Sequence, residues 1–261
     1  AFPSGRASRE VKLADVRAKE WRWTGSELKS SQLRFLALKL REKKENLALT
    51  MALEMGKPIH EGRGEVEKCA ATCEHYATLI PDLAPIETLR FDQRDHRIQR
   101  EPMGIVFAIM PWNFPLWQVI RSLVPILAAG NAYVLKHSDI VAGTADILEK
   151  ITDEAFGKGL VTNLYLTHDQ AAELIRDPRI KAVTLTGSSQ AGAAVASEAG
   201  RALKKCVLEL GGSDPVLVLS DADIDLAVEL SAQSRLINTG QSCISAKRFL
   251  VPEDHWMAFT E

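Results

Sequence analysis

The 261-residue chain carries 32 basic against 34 acidic side chains, for a net charge of −2. So even a balance offers no long-range attraction to nucleic acid or to an anionic membrane, and neither is expected as a partner. With 46% hydrophobic residues, no apolar run long enough to span a bilayer and no charged-then-apolar leader, the composition predicts a cytoplasmic globular protein. Four cysteines in a chain of this length are too sparse for a disulfide framework, and reduced thiols are expected.

Residues 26–55 read as an amphipathic helical region, because Leu33, Leu36, Leu40 and Leu47 recur near helical spacing among Lys, Arg and Glu. Met55-Gly56-Lys57-Pro58 supplies a glycine stop with proline beyond it. A second helix from His60 to about Leu79 then completes an opening helical hairpin. Residues 88–101 alternate charged and apolar positions, Phe91 and Ile98 among them, which predicts exposed strands seeking a partner. From Gly104 the rhythm changes to short apolar strands over 105–110, 132–135, 163–166, 182–186 and 207–210, separated by helices over 116–129, 142–156, 169–176 and 189–203. That alternation predicts a doubly wound, Rossmann-like parallel α/β sheet. After Gly212, a strand over 216–219 and an acid-started helix over 221–237 open what reads as a second α/β domain, giving boundaries of 1–212 and 213–261. Ala1 in place of an initiator methionine, and a stop at Glu261 directly after an apolar stretch, lead us to expect that both ends are cut.

Cys243 closes Asn238-Thr-Gly-Gln-Ser-Cys243, a short way downstream of Glu209-Leu-Gly-Gly212, and the two suggest a thiol nucleophile with a general base. Alone, Cys243 is more often a buried small hydrophobe. Glu209 shifts that balance, because a glutamate among Val207, Leu208 and Leu210 is costly to bury without purpose, a salt bridge being the plain alternative. Asn113, inside Pro111-Trp112-Asn113-Phe114-Pro115, offers a side-chain amide between two prolines that limit backbone freedom, and such a donor suits an oxyanion. Thr186-Gly-Ser-Ser-Gln-Ala-Gly192 follows a predicted strand and opens a helix, so its amides can face a pyrophosphate, although tight packing explains such a turn about as often. Lys136 ends a strand, where it can hold ribose hydroxyls or phosphate or simply be solvated, and Asp139 can equally be a helix N-cap. Cys69 and Cys73, one turn apart with His75 near, make a poor metal set and are expected in the core, as is Cys206; the six histidines show no ligand spacing. No metal is expected.

Taken together, Asn113 in its Met-Pro-Trp-Asn-Phe-Pro run, Lys136, Thr186-Gly-Ser188, Glu209-Leu-Gly-Gly212 and Gly240-Gln-Ser-Cys243 occur in one order and at spacings that resemble the aldehyde dehydrogenase superfamily, with Glu54-Met-Gly-Lys-Pro58 also matching. Residues 203–215 and 110–118 look most like bacterial succinate-semialdehyde dehydrogenases. The resemblance implies that Cys243 attacks the aldehyde carbon, that Asn113 and the Cys243 backbone amide hold the oxyanion, and that Glu209 activates water to release the acid from a thioester. It further implies dinucleotide contacts from Trp112, Lys136, Ser138 or Asp139, Gly187, Ser188 and Leu210. An acid at 139 favours NAD over NADP, although His137 departs from the proline usual there. Arg121, eight residues after Asn113, matches a carboxylate-holding arginine of that subfamily; the second arginine of the clamp would fall at Ile237, and Arg235 is offset from it. The family continues for about as many residues again, and its members are homodimers or homotetramers in which the strands of residues 86–102 form an arm. Two other readings stay open: a cysteine hydrolase built on Cys243 and Glu209, and an inactive truncated remnant that at most binds a dinucleotide.

Overall fold

The computed structural model describes residues 4–83 and 86–261; residues 1–3, which include Ala1, lie outside that range. Four helices open the chain: α1 (Ser4–Trp21), α2 (Ser26–Glu42), α3 (Lys44–Met55) and α4 (Ile59–Leu79). The single helical region expected over 26–55 is thus two helices, broken at Lys43, whose ψ of 10° ends the first run. The expected hairpin is preceded by α1, whose charged sequence hides a narrow buried stripe of Val11, Ala14, Ala18 and Trp21. α3 stops where the Met-Gly-Lys-Pro run predicts: Gly56 takes a left-handed φ of 76° and donates its N–H to Ala52 O.

β1 (Glu87–Phe91) and β2 (Arg94–Ile98) form an isolated antiparallel hairpin turning at Asp92-Gln93, both with positive φ, and every residue of it is exposed. The exposed strands expected here are present. The central layer follows as β3 (Ile105–Met110), α5 (Trp117–Ala128), β4 (Ala132–His137), α6 (Ala142–Phe156), β5 (Val161–Asn163), α7 (His168–Arg176), β6 (Ile180–Thr186), α8 (Ser189–Arg201) and β7 (Lys205–Glu209). All five strands are parallel in the order β5-β4-β3-β6-β7. The chain therefore winds outward from β3 to β5, returns to β6 beside β3, and winds the other way, the doubly wound pattern. β5 ends at Asn163 rather than running over 163–166: its β-branched Val161 and Thr162 pair with Tyr133 and Val134.

The core joins this sheet to the opening helices. Phe107, Tyr133, Ile120, Leu123 and Leu127 are fully buried together with Leu33, Leu36, Leu40 and Met51. α5 packs on β3 and β4, and α4 covers α5. Beyond β7 come β8 (Asp214–Leu217), α9 (Ile224–Leu236), β9 (Ala246–Leu250) and α10 (Trp256–Thr260), with β8 and β9 paired in parallel as a separate sheet. β8 starts earlier than the expected 216, and α9 starts later than the expected 221 because Asp223 is its N-cap, accepting the Leu226 N–H at 3.1 Å. Among the described residues, no helix is long and apolar enough to cross a membrane.

Candidate active site

Ligands of doubly wound sheets lie beyond the carboxyl ends of the strands, at the point where the winding reverses. Here that point falls between β3 and β6. The segment after β3 is Pro111-Trp112-Asn113, and the segment after β6 is Gly187-Ser188. Both line a groove of about 310 Å³, together with Gln118, Thr186, Leu210, Gly211, Gln241 and Cys243. Of the residues singled out in the sequence, the fold thus gathers Trp112, Asn113, Gly187, Ser188, Leu210 and Cys243 on one surface.

Each wall has a local cause. Ser188 is the N-cap of α8, its hydroxyl accepting the Ala191 N–H at 3.1 Å, and the Gly187 N–H donates to Glu209 O at 3.0 Å. Gly192, one turn into α8, lets Leu210 close on the helix: a Cβ there would stand 2.6 Å from Leu210 Cδ2. On the other wall, Asn113 Nδ2 donates to Gln241 O at 2.8 Å and Asn238 Nδ2 donates to Asn113 O at 2.6 Å, so the Asn113 loop and the Cys243 loop hold each other reciprocally. The amide expected to face an oxyanion is engaged by the thiol's own loop, and its Oδ1 is buried without a partner. Asn238 and Thr239 are both left-handed, with φ of 55° and 54°. For residues other than glycine such conformations cost about 1–3 kcal/mol each and persist only where surroundings over-determine them.

Other expected residues stand apart from the groove. Glu209 is not buried, as its apolar neighbours suggested, but lies on edge strand β7 with its side chain 57% exposed, where Arg121 Nη2 pairs with its Oε2 at 3.2 Å. The plain alternative for Glu209, a salt bridge, is what the structure contains. Arg121 also reaches Thr186 Oγ1 at 3.5 Å. Lys136 is buried at the end of β4, donating to His137 O at 3.3 Å and lying 3.8 Å from Asp139 Oδ1. Ser138 precedes a short 3-10 turn over Asp139–Val141 and makes no side-chain cap; Asp139 is exposed and caps nothing. Arg235 donates to Gly240 O at 3.1 Å, shaping the Cys243 loop rather than facing a substrate.

The thiols divide clearly. Cys69 and Cys73 are buried in the core, where loss of hydration pushes Cys69 well up and Cys73 up to about 12; Cys206 is half-buried and also raised by burial. Cys243 is half-exposed at the groove. Among the described residues no group of His, Cys, Asp and Glu is placed to hold a metal ion.

The sequence reading missed a set of carboxylates behind the groove. Glu54 caps α6, accepting from Gly143 N at 2.5 Å, Thr144 N at 3.1 Å and Thr144 Oγ1 at 2.6 Å. Glu65 caps α5, accepting from Leu116 N at 2.9 Å and Trp117 N at 2.7 Å, and forms a fully buried ion pair with Lys57, whose Nζ also sits 4.1 Å over the Phe114 ring. Glu61 accepts the Asn238 N–H at 2.8 Å. The available signal was Glu61 and Glu65 four residues apart, on one face of a helix beginning just after Lys57-Pro58.

Fold and groove together define a doubly wound α/β protein with a thiol at its switch point. The chain belongs to the aldehyde dehydrogenase family, whose model matches residues 4–261. It is 45% identical over 252 residues to the succinate semialdehyde dehydrogenase [NAD(P)+] Sad of Escherichia coli, covering 96% of this chain and 54% of that one. It is 40% identical to a succinate-semialdehyde dehydrogenase [NADP(+)] of Deinococcus radiodurans, covering 95% and 52%. The crystal structure of succinic semialdehyde dehydrogenase from Streptococcus pyogenes in complex with NADP+ superposes with a TM-score of 0.93 at 36% identity, over 97% of this chain and 56% of that one. The chain spans about half the length of the curated relatives it matches.

Proposed function

We propose that the protein containing this chain oxidises an aldehyde, succinate semialdehyde in the first instance, to the carboxylic acid with NAD or NADP as hydride acceptor. The observation that carries this reading is the single groove at the β3/β6 switch point, shared by Trp112, Asn113, Gly187, Ser188, Leu210 and Cys243. Family membership and the named activities of the relatives support it. Residues 1–212 would form the dinucleotide-binding part and 213–261 the start of the thiol-bearing part, consistent with the separation of the β8–β9 sheet from the central one.

The residues present fit a dinucleotide. The N-terminus of α8 opens onto the groove with Gly187 and Ser188, which suits a pyrophosphate, and Lys136 with Ser138 and Asp139 ends the neighbouring strand, which suits a ribose. When bound, the nicotinamide supplies the hydride acceptor. Cys243 attacks the aldehyde carbon, and the second N–H of Asn113 Nδ2, the one not spent on Gln241 O, stabilises the oxyanion of the thiohemiacetal with the Cys243 backbone amide; one such donor is worth about 3–4 kcal/mol. Loss of hydride leaves a thioester on Sγ, and Glu209, parted from Arg121, takes a proton from the water that releases the acid. Arg121 holds the substrate carboxylate.

The test is reduced-nicotinamide absorbance from the full-length protein with succinate semialdehyde and each dinucleotide, beside Cys243→Ala. Cysteine-dependent reduction is expected; turnover that survives the substitution would sink the mechanism.

A further inference from the structure

Helix α4 holds both loops of the Asn113 wall of the groove. Glu65 grips the start of α5, directly after the Asn113 loop, while Glu61, one turn earlier and half-buried, accepts the backbone N–H of Asn238 in the Cys243 loop. Asn238 is fully buried and begins two consecutive left-handed residues, and its side chain in turn holds Asn113 O. The turn must be retained by its surroundings: asparagine tolerates a left-handed backbone better than most residues, but the β-branched Thr239 after it does not, and two such residues in succession are not held by local preference. Bonds within the loop, from Gln241 N and Thr239 Oγ1 to Asn238 O, close it on itself but do not fix it to the protein. Arg235 of α9 and Lys247 of β9 donate to Gly240 O and Cys243 O, but the bonds that tie the turn to the Asn113 loop and to α4 are those from Asn113 Nδ2, from Asn238 Nδ2 and to Glu61, and of these three only the last has a charged partner, which makes it the strongest of them in kind.

We propose that Glu61 is a positioning residue: by holding the Asn238 N–H it fixes the left-handed turn that sets Cys243 beside Asn113 on one wall of the groove. The inference rests on the reading of Cys243 as nucleophile. Asn113 Nδ2 carries two N–H groups, one spent on Gln241 O and one left for an oxyanion, so the loop has to keep its register throughout the reaction, and Glu61 holds it from the side away from Asn113. Without Glu61 the buried Asn238 N–H has no acceptor, and the turn relaxes toward ordinary backbone while the thiol shifts. A shift of about 1 Å is enough to lower a rate by roughly a hundredfold. The core face of α4, made of Val66, Cys69, Ala70 and Cys73, does not involve Glu61, so the fold survives the change.

The experiment compares Glu61→Ala and Glu61→Gln in the full-length protein, reading kcat and both KM values. Glu61→Ala is expected to lower kcat at least tenfold with KM for the dinucleotide within about threefold, because the α8 end of the groove is untouched. Glu61→Gln, whose amide oxygen still accepts the N–H, is expected to keep kcat within about threefold. Wild-type kcat in Glu61→Ala, equal losses in both variants, or a loss shared by kcat and dinucleotide KM alike would each overturn the proposal. Should Glu61→Ala give no folded protein, Glu61→Asp, one methylene short, is read by the same criteria. Failure of the nucleophile reading is separate: it appears as activity in Cys243→Ala whatever Glu61 does.

Discussion

Arg121 of α5 and Glu209 at the end of β7 form an ion pair, Nη2 to Oε2 at 3.2 Å, with side chains 29% and 57% exposed. Pairs this exposed contribute about 0–1 kcal/mol, so the contact is easily parted. On the proposed reading, a substrate carboxylate gripped by the guanidinium would gain about 1.5–3 kcal/mol, which exceeds that, and would take Arg121 while releasing Glu209 toward water. Arg121→Ala is therefore expected to raise KM for succinate semialdehyde by about 10- to 100-fold, with KM for butanal, which lacks the carboxylate, changed less than threefold. Steady-state kinetics with the two aldehydes decide it: equal changes would mean that Arg121 serves Glu209 and not the substrate.

Lys57 and Glu65 are both almost completely buried, and Glu65 also accepts two backbone N–H groups at the start of α5. Removing one partner leaves an uncompensated charge, at a cost of about 3–5 kcal/mol. Lys57→Met should lower stability by that amount. The double variant Lys57→Met with Glu65→Gln should recover part of it, because the amide oxygen still caps α5 without carrying charge. Urea denaturation of the three proteins measures both steps, and a double variant no more stable than the single one would refute the charge argument.

Four of the five strands of the central sheet were legible as short apolar runs, and Ile105–Met110 of β3 and Ala142–Phe156 of α6 lie where the pattern predicts, whereas β5, at Val161–Asn163, meets the expected 163–166 at one residue. α1 was not legible: half of its four-residue buried stripe is alanine, so its periodicity vanishes among twice as many charged residues. At the site, residues that line the groove were legible from local motifs. Those that hold the motifs in place were not, since Glu61 meets Asn238 across 177 positions of sequence and Glu65 meets Leu116 across 51. Nor could periodicity reveal that Glu209 is exposed, because β7 is an edge strand whose apolar residues alternate between half-buried and open.

Asp139 places an exposed carboxylate at the end of β4, 3.8 Å from Lys136 Nζ, where the dinucleotide reading puts a ribose. A 2′-phosphate brings nearly two negative charges; at about 4 Å in water-like surroundings each repels a carboxylate by about 1 kcal/mol. Asp139→Ser should therefore improve the KM for NADP relative to NAD by about tenfold. Titrating both dinucleotides against wild type and variant tests this, and an unchanged ratio would place the 2′-position elsewhere.

His137 ties the end of β4 to the Asn113 loop. One ring nitrogen, Nε2, lies 2.8 Å from Pro115 O, and the other, Nδ1, accepts the Ser138 N–H at 2.8 Å. Both bonds are satisfied only by the neutral ring with its proton on Nε2; a second proton on Nδ1 would face the Ser138 N–H. Burial accordingly pushes the imidazole below its ordinary value near 6.5, against smaller opposing effects from the Pro115 and Met110 backbone. The sign follows. Above about pH 6.5 the ring is neutral in folded and unfolded chains alike, and its contribution is fully present. As pH falls below 6.5 the unfolded chain takes up the proton first, and stability drops by up to about 1.4 kcal/mol per pH unit until the folded ring also titrates, where the loss levels off. His137→Gln, which keeps a donor for Pro115 O but cannot titrate, should be less stable than wild type at pH 8 and show a shallower fall between pH 6.5 and 5. Urea denaturation of both proteins across that range isolates the residue, because every other titrating group is common to the two; parallel curves would show that His137 does not set the acid limb.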